Sequence, residues 1–488
     1  MMRNLLLSFL LFSTFIVVDA QVGINILIPD SSAVLQLESN SKGLGLSRLT
    51  SQQRDAINTP LNGLTIFNTS DSFVEYYNGE CWLRAYERTC NDCDFRFGID
   101  DPTDTLDRVV EDSVFSTITV TKLKSNQKIN VSFLAIPPPG VQVFLDGNSL
   151  IDSAGTLKIV VKADIFAGDG PVNIVLLAFC GDQVRFLNYN VYIEPCVRVT
   201  LPVSTRNYNL QAQNATQLPP GSKKCVVLTI NNMVEVGADT PSVAAYTTGN
   251  LNPQSKVGIV NNGAVLGRGG NGGGFTFNGS LITVGGTNGG KGGDAMQLTT
   301  RTILQNNGVI YGGGGGGGSV GLLLQTPSIP LIGSIALGFG FGGGGGSELG
   351  KGGAVPTGAI NIGIFRSGSN ATSGVYSVPG IGASATTNIP ITISILTINI
   401  SPNANGGNGG NYGQNGQSGF LNLSITACVQ IPIIGQICIP IPIPGGLLPF
   451  YGPAGGFPGM AVKRNGNSLT NLPDGNYSTN QVKGAVGP

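Results

Sequence analysis

Between residues 94 and 200 the chain alternates apolar and polar positions in short runs: FSTITVTKL, KINVSFLAI, VQVFLDG, TLKIVVKADI, VNIVLLAFCG and VRFLNYNVYIEPCVRV. A period of two over runs of this length, with turn residues between them, predicts strands, and a series of such strands predicts a β-sandwich of immunoglobulin-like architecture. The tryptophan and paired-cysteine spacing of antibody domains is missing, so only the architecture is expected. Ahead of the sandwich, LTIFN and FVEYYNGECW flank the turn-forming TSDS and predict a hairpin, while SRLTSQQRDAI predicts one helical turn capped by Thr50 or Ser51. Residues 21–90 are expected to form an N-terminal β-hairpin module, residues 94–200 the sandwich, and residues 201–252 a connecting β segment.

Farther along, a unit repeats. INNMVEVG (residues 230–237), VNNGAVLG (260–267) and QNNGVIYG (305–312) each place an Asn-Asn turn before a short apolar strand and a glycine, and SVAAYTT (242–248) echoes DAMQLTT (294–300). A repeated strand-turn unit predicts stacked rungs, each covering the apolar face of the next. Glycine runs begin where the rungs stop, at residues 267–274, 285–293, 312–318, 338–346, 406–416 and 445–459, in a chain with 74 glycines among 488 residues.

A slack linker would be uniformly polar and rich in Gly and Ser. Here glycine mixes with Asn and alternates with apolar stretches such as LLLQTPSIPLIGSIAL, IPITISILTINI and ITACVQIPIIGQICIPIPIP. Aperiodic glycine plus proline is also a disorder signal, which makes disorder the competing reading. Ordering one glycine costs about 1–2 kcal/mol and each net hydrogen bond returns about 1 kcal/mol, so an isolated run cannot order itself. Several extended runs side by side can order as threefold helices of the polyproline-II type, rising about 3.1 Å per residue with N–H and C=O groups pointing outward and glycine wherever neighbours touch. The expected fold is mostly β plus polyglycine-II, with residues 253–488 as a glycine-rich head.

The motifs NNGxxxGRGGNGG, GGKGGDA and GGFPGMAVKRNGNS, alternating with variable apolar stretches across residues 225–488, resemble the polyglycine-II sandwich adhesins at the tail-fibre tips of T-even-like phages. The resemblance implies a rigid core of glycine helices whose connecting loops, at one end, bind an outer-membrane protein or glycan receptor. It casts Gly267, Gly269, Gly272, Gly289, Gly312, Gly315, Gly318, Gly342, Gly345, Gly406 and Gly409 as scaffold, and residues 319–337, 354–405 and 420–444 as loops. Candidate contact residues are Leu322, Leu323, Leu324, Ile329, Leu331, Ile332, Phe365, Tyr376, Ile431, Ile433, Ile434, Leu448, Phe450 and Tyr451. In the competing reading these apolar strands pair with one another or cover the slab as core. The alternating prolines of CIPIPIP are expected to prevent continued ladder pairing, which protects such an edge from aggregation. The series VGIN, AVLQLES, KGLGLSRLTSQQRDAI, GLTIFNTS and YYNGECW resembles an N-terminal segment of secreted surface and tail-fibre-like proteins of the Bacteroidetes group, which implies surface display.

Composition narrows the chemistry. Net charge is zero with 11% charged residues, which leaves no footprint for nucleic acid. Histidine is absent, which removes imidazole as general base and as metal ligand. Arg3, the apolar stretch at residues 5–18 and Val18-Asp19-Ala20 predict a signal peptide over residues 1–20, and no other stretch is long enough and free of Pro and Gly to span a membrane. In an exported chain the eight cysteines read as disulfides. Cys428 and Cys438 flank VQIPIIGQI and could staple a hairpin tip, and Cys90-Asn-Asp-Cys93 has no second pair to complete a zinc site. Gly267, Gly269 and Gly272 match GxGxxG but precede no helix, Gly292 stands where a phosphate loop needs Ser or Thr, and the acidic stretch IDDPTDTLD lacks EF-hand spacing. The expectation is a non-enzymatic adhesin without cofactor or metal, secreted to the surface of a Gram-negative cell, whose partner is a cell-surface protein or glycan receptor. Its N-terminal module is the candidate contact for a homo-oligomer. The alternative is a structural or ice-binding glycine-rich matrix protein.

Overall fold

Thr50 caps the helical turn Ser51–Asp55: its hydroxyl accepts from the Gln53 N–H while Gln53 Oε1 accepts from the Thr50 N–H, a reciprocal capping box. This turn belongs to a computed structural model that describes residues 21–85, 94–110, 112–124, 128–134, 137–181, 183–276, 282–325, 336–355, 362–393, 396–441 and 448–488; the expected signal peptide lies outside them. Thr65–Asn68 and Phe73–Tyr77 form the expected hairpin. The run ending at Trp82 breaks after Tyr77, because Asn78 Oδ1 accepts from the N–H groups of Glu80 and Cys81 and Gly79 takes φ 98°, so Trp82–Arg84 returns as a third strand.

The sandwich has a four-stranded sheet (Val141–Asp146, Ala154–Ala163, Ser113–Lys124, Asp94–Ile99) facing a five-stranded one (Leu150–Ile151, Ile129–Leu134, Gly170–Cys180, Gln183–Ile193, Thr103–Leu106). Inward alternate residues, among them Ile118, Val120, Ile159, Val161, Ile174, Leu176 and Val191, make one core. The last expected strand divides at Glu194-Pro195: Gln183–Ile193 stays in the sandwich and Val197–Leu201 leaves it. Arg108, Arg198 and Asp169 pin this crossing, since Arg198 Nε lies 3.0 Å from Asp169 Oδ2 and Arg108 Nη2 bonds Asp169 Oδ1 and the Glu194 carbonyl.

Val197–Leu201 begins a stack of parallel rungs. The first rung is Val197–Leu201, Thr205–Arg206 and Tyr208–Asn209; the second is Cys225–Ile230, Glu235–Gly237 and Tyr246–Thr247. The third is Lys256–Asn261, Ala264–Leu266 and Met296–Gln297; the fourth is Arg301–Asn306, Val309–Tyr311 and Val462–Lys463. Each strand pairs in parallel with its counterpart one rung on. Leu469–Thr470 and Val482–Gly487 close the stack, the latter pairing with both Val309–Tyr311 and Val462–Lys463. Val226, Leu228, Val257, Ile259, Val265, Leu304, Ile310 and Val482 fill the interior, and Leu210 and Leu218 cover its first rung. The Asn-Asn turns stack, with Asn261 Nδ2 donating to Asn306 Oδ1 at 2.7 Å and Asn307 Nδ2 to Asn262 Oδ1 at 2.9 Å.

The repeated motifs therefore lie on neighbouring rungs. Val260 pairs with Gln305, as the motif comparison expects. Ile230 instead pairs with Asn261, because its turn is longer and holds Met233 at φ 64°. Tyr246 pairs with Met296 rather than Leu298, a two-residue shift that keeps the same faces inward.

Two rungs are interrupted. Between its second and third strands the third rung sends out residues 267–295, and the fourth sends out residues 312–461. These excursions hold the glycine runs, and residues 312–318 lie at their centre, wholly buried. Gly313 and Gly316 donate to the carbonyls of Gly293 and Gly290, Gly314 and Gly317 to Ser347 and Gly344, and Gly315 and Gly318 to Gln414 and Gln417. Their carbonyls accept in the same rhythm: Gly314 and Gly317 from Gly270 and Gly273, Gly315 and Gly318 from Gly410 and Gly407, Gly313 and Gly316 from Gly459 and Gly456. The partner changes at every residue and returns at every third, so six segments surround one.

Such spacing leaves no room for a side chain. A Cβ on Gly315 would stand 1.8 Å from the carbonyl oxygen of Gly456, whereas one on Gly285 would meet nothing within 4 Å. We expect Gly315→Ala to destabilise the head by about 3 kcal/mol or more, through overpacking and lost backbone bonds, and Gly285→Ala to stay within about 0.5 kcal/mol of wild type. Differential scanning calorimetry of the two variants checks this.

Candidate functional site

At the end away from the rungs, the lattice is covered by two small sheets. One comprises Ile282–Gly285, Val320–Gln325, Ala336–Phe341 and Ile362–Arg366. The other comprises Ser384–Ala385, Ile389–Ile393, Leu396–Asn405, Phe420–Ile431, Gly435–Ile441 and Phe450–Tyr451. Val320, Leu322, Phe339, Phe341, Ile400, Leu421 and Leu423 form an apolar cluster between them. Much of what the sequence suggests as loop is thus paired strand. Leu322 and Leu323 are buried and offer no surface; Leu324 pairs with Ile282. Leu448 and Phe450 pack against the cluster, and half-buried Phe365 lies against Gly340. Ile329, Leu331 and Ile332 lie outside the described residues. The ladder also continues through Pro440, which pairs with Thr426 on the outermost strand, where a missing N–H costs no ladder bond.

One hairpin stands out from this cover. Phe420–Ile431 and Gly435–Ile441 pair in register, with Cys428 directly opposite Cys438 and joined to it by a disulfide at a Cα separation of 4.0 Å. Ile431 is half-buried, and beyond it the turn exposes Ile433 completely and Ile434 by 70%, while Ile437 and Ile439 continue the exposed apolar face. Ile433 also takes φ 82°, a left-handed conformation that a β-branched residue adopts only under strain. Strain and exposed apolar area at one residue both cost folding free energy, and nothing in the fold of the hairpin repays either. Residues 367–462 contain no charged side chain, so the surface around the turn offers only shape and apolar area. Tyr451 is exposed beside Phe420, whereas exposed Tyr376 lies apart from the tip, on a turn beside Tyr412.

The sequence-derived scaffold glycines share one geometry. At Gly267, Gly269, Gly272, Gly289, Gly312, Gly315, Gly318, Gly342, Gly345, Gly406 and Gly409 a Cβ would stand between 1.8 and 2.2 Å from a backbone carbonyl oxygen. One polar cluster goes unread in the sequence: Glu348, buried where the lattice meets the rungs, faces Arg206 at 3.4 Å and the Tyr412 hydroxyl at 3.4 Å, and Arg206 also holds Glu235 at 3.1 Å. Its available signal is a lone acid after the charge-free residues 302–347. Burial above all raises the Glu348 carboxyl above its ordinary range, repulsion from Glu235 adds to this, and Arg206 opposes it.

A rigid base that carries a glycine lattice tipped by a strained apolar hairpin defines a class, the binding head. The chain belongs to the phage tail fibre adhesin Gp38 family, whose profile matches residues 197–486, the span from the first rung to the last strand. A second profile, the phage tail like trimerisation region, matches residues 23–95. Membership carries an adhesin, receptor-binding role. No curated protein matches. A solved structure described as a family 123 glycoside hydrolase from Clostridium perfringens aligns at 8% identity and a TM-score of 0.17 over 24% of this chain and 32% of that one, which carries no argument.

Two outcomes follow from the site. Replacing Cys428 and Cys438 together by Ser should lower the local opening free energy of the hairpin by about 2–3 kcal/mol, read by hydrogen exchange, while lattice amides keep their protection. Because the Glu348 pKa is raised on folding, its stabilising contribution is present below the ordinary glutamate range and is lost as pH rises through the raised value. Between about pH 4 and about pH 8, wild type should therefore lose melting temperature relative to Glu348→Gln.

Proposed function

We propose that this chain is a secreted adhesin whose polyglycine-II core holds the hairpin tip of Ile431, Ile433 and Ile434, flanked by Ile437 and Ile439, against a neutral, apolar recess of a cell-surface receptor. The observation that carries this reading is the join of a lattice with no side-chain freedom to a strained, charge-free apolar turn. A preorganised tip loses little entropy on docking, so more of its apolar contact appears as affinity. The threefold return of hydrogen-bond partners along residues 312–318 supports polyglycine-II as the identity of the core. Both outer strands of the tip sheet, Ile389–Ile393 and Gly435–Ile441, carry a proline, which favours docking by side chains over strand addition.

Presentation falls to the N-terminal module. Leu27, Ile28, Val34, Leu44 and Leu61 are exposed there, and together with the match to a trimerisation region this supports assembly of copies through residues 23–95. Export through residues 1–20 fits an adhesin that works outside the cell, and among the described residues no helix is long and apolar enough to cross a membrane. Catalysis has no part in this reading.

The test is adsorption of the purified chain to receptor-bearing cells. Ile433→Ser combined with Ile434→Ser should weaken binding at least about tenfold, or about 1.4 kcal/mol, with an unchanged melting temperature. Wild-type binding should change less than about twofold between about 0.05 and about 0.5 M salt, since no charge lies at the tip. Full binding by the double variant would remove the tip from the mechanism.

A further inference from the structure

At the rung end of the lattice lies a cleft that the apolar tip does not use. The glycine segment 406–417 turns back at residues 411–414 beside the two last strands, Gly475–Ser478 and Val482–Gly487, and beside the turn at residues 374–377. The cleft between them has a volume of about 360 Å³, and its lining includes Tyr376, Asn411, Gln414, Tyr477, Ser478 and Lys483. Small-molecule sites commonly span about 300–1,000 Å³.

Three kinds of group converge there. The first is an aromatic face without packing duty: Tyr376 is 94% exposed at the lip. The second is a set of free polar groups, since among the described residues the side chains of Asn411, Gln414 and Ser478 have no intramolecular hydrogen-bond partner. The third is one cation, Lys483, whose Nζ sits 4.5 Å from the centre of the Tyr311 ring. The floor is fixed: Tyr412 donates to the Gly374 carbonyl at 2.7 Å, and its ring packs 5.0 Å from that of Tyr311.

A pyranose needs this set. Its C–H face stacks on an aromatic ring, and its adjacent hydroxyls each donate and accept, as an amide can do in return through its two ends. A nucleotide would call for more than one cation, and a lipid chain for a longer apolar wall. We propose that this cleft binds a single pyranose unit of a surface glycan, with Tyr376 as the stacking platform, Asn411 and Gln414 reading hydroxyls, and Lys483 favouring a sugar that carries a carboxylate. The site lies across the lattice from the base of the hairpin, separated by seven glycines at about 3.1 Å each, or about 22 Å. Glycan capture here and docking at the tip are then separate events, and together they add avidity.

The probes are methyl glucuronide and methyl glucoside, titrated into the full chain and followed by saturation-transfer NMR. Both should bind, the glucuronide at least about threefold more tightly. Tyr376→Ala should weaken both at least about tenfold, Lys483→Gln should abolish only the preference for the acid, and Ile433→Ser should change neither. If Tyr376→Ala alters the melting temperature, the pair Asn411→Ala and Gln414→Ala serves instead, with an expected loss of at least about fivefold. No binding of either sugar at about 50 mM, or binding that survives both sets of variants, overturns the proposal. Since Ile433→Ser reports on the tip alone, failure here leaves the receptor reading standing, and the reverse also holds.

Discussion

The structure depends on hydrogen bonds made directly between the backbones of glycine-rich segments, at a separation that a single Cβ would break. Residues 312–318 give and receive such bonds on all sides, and no other residue type can occupy that centre. The bonds alone do not make the lattice stable. One net bond per residue, at about 1 kcal/mol, does no more than offset the ordering of one glycine, at about 1–2 kcal/mol. Stability has to come from the ends, where apolar side chains pack.

Both ends are present, and they explain the layout of the chain. The rungs supply a core of Val, Leu and Ile below the lattice, and the two small sheets supply a second core above it. Each glycine run leaves or re-enters one of these cores, so apolar stretches must alternate with glycine along the sequence. The sandwich adds support from outside, with Ile165 and Phe166 pressed on Gly258, which has no side chain to resist them. The proposed tip rests on the same constraint, because the hairpin that holds Ile433 strained and exposed rises from the sheets that cover the lattice.

Much of this is legible in the residues. The Asn-Asn repeats reveal the rungs because they form one turn type, and their asparagines pair from rung to rung. The register of the first pair escapes because Met233 lengthens a turn without disturbing the motif. The glycines at positions such as Gly315 and Gly345 are readable because close approach admits nothing else. What covers the lattice is harder, because an apolar strand and an apolar loop have the same composition. Leu322 and Ile434 look alike in sequence, yet one is core and the other is surface, and only the partner strands Ile282–Gly285 and Ala336–Phe341 decide the difference. Arg206 and Glu348 stand 142 residues apart, and no local pattern joins them.

The most direct measurement of the central claim is amide hydrogen exchange across residues 312–318 in the full chain under oxidising conditions. The account predicts protection there comparable to that of the rung strand Cys225–Ile230, which is paired on both sides and buried except at Thr229. Exchange at the rate of free glycine peptide would contradict it, and would leave the hairpin tip without a scaffold.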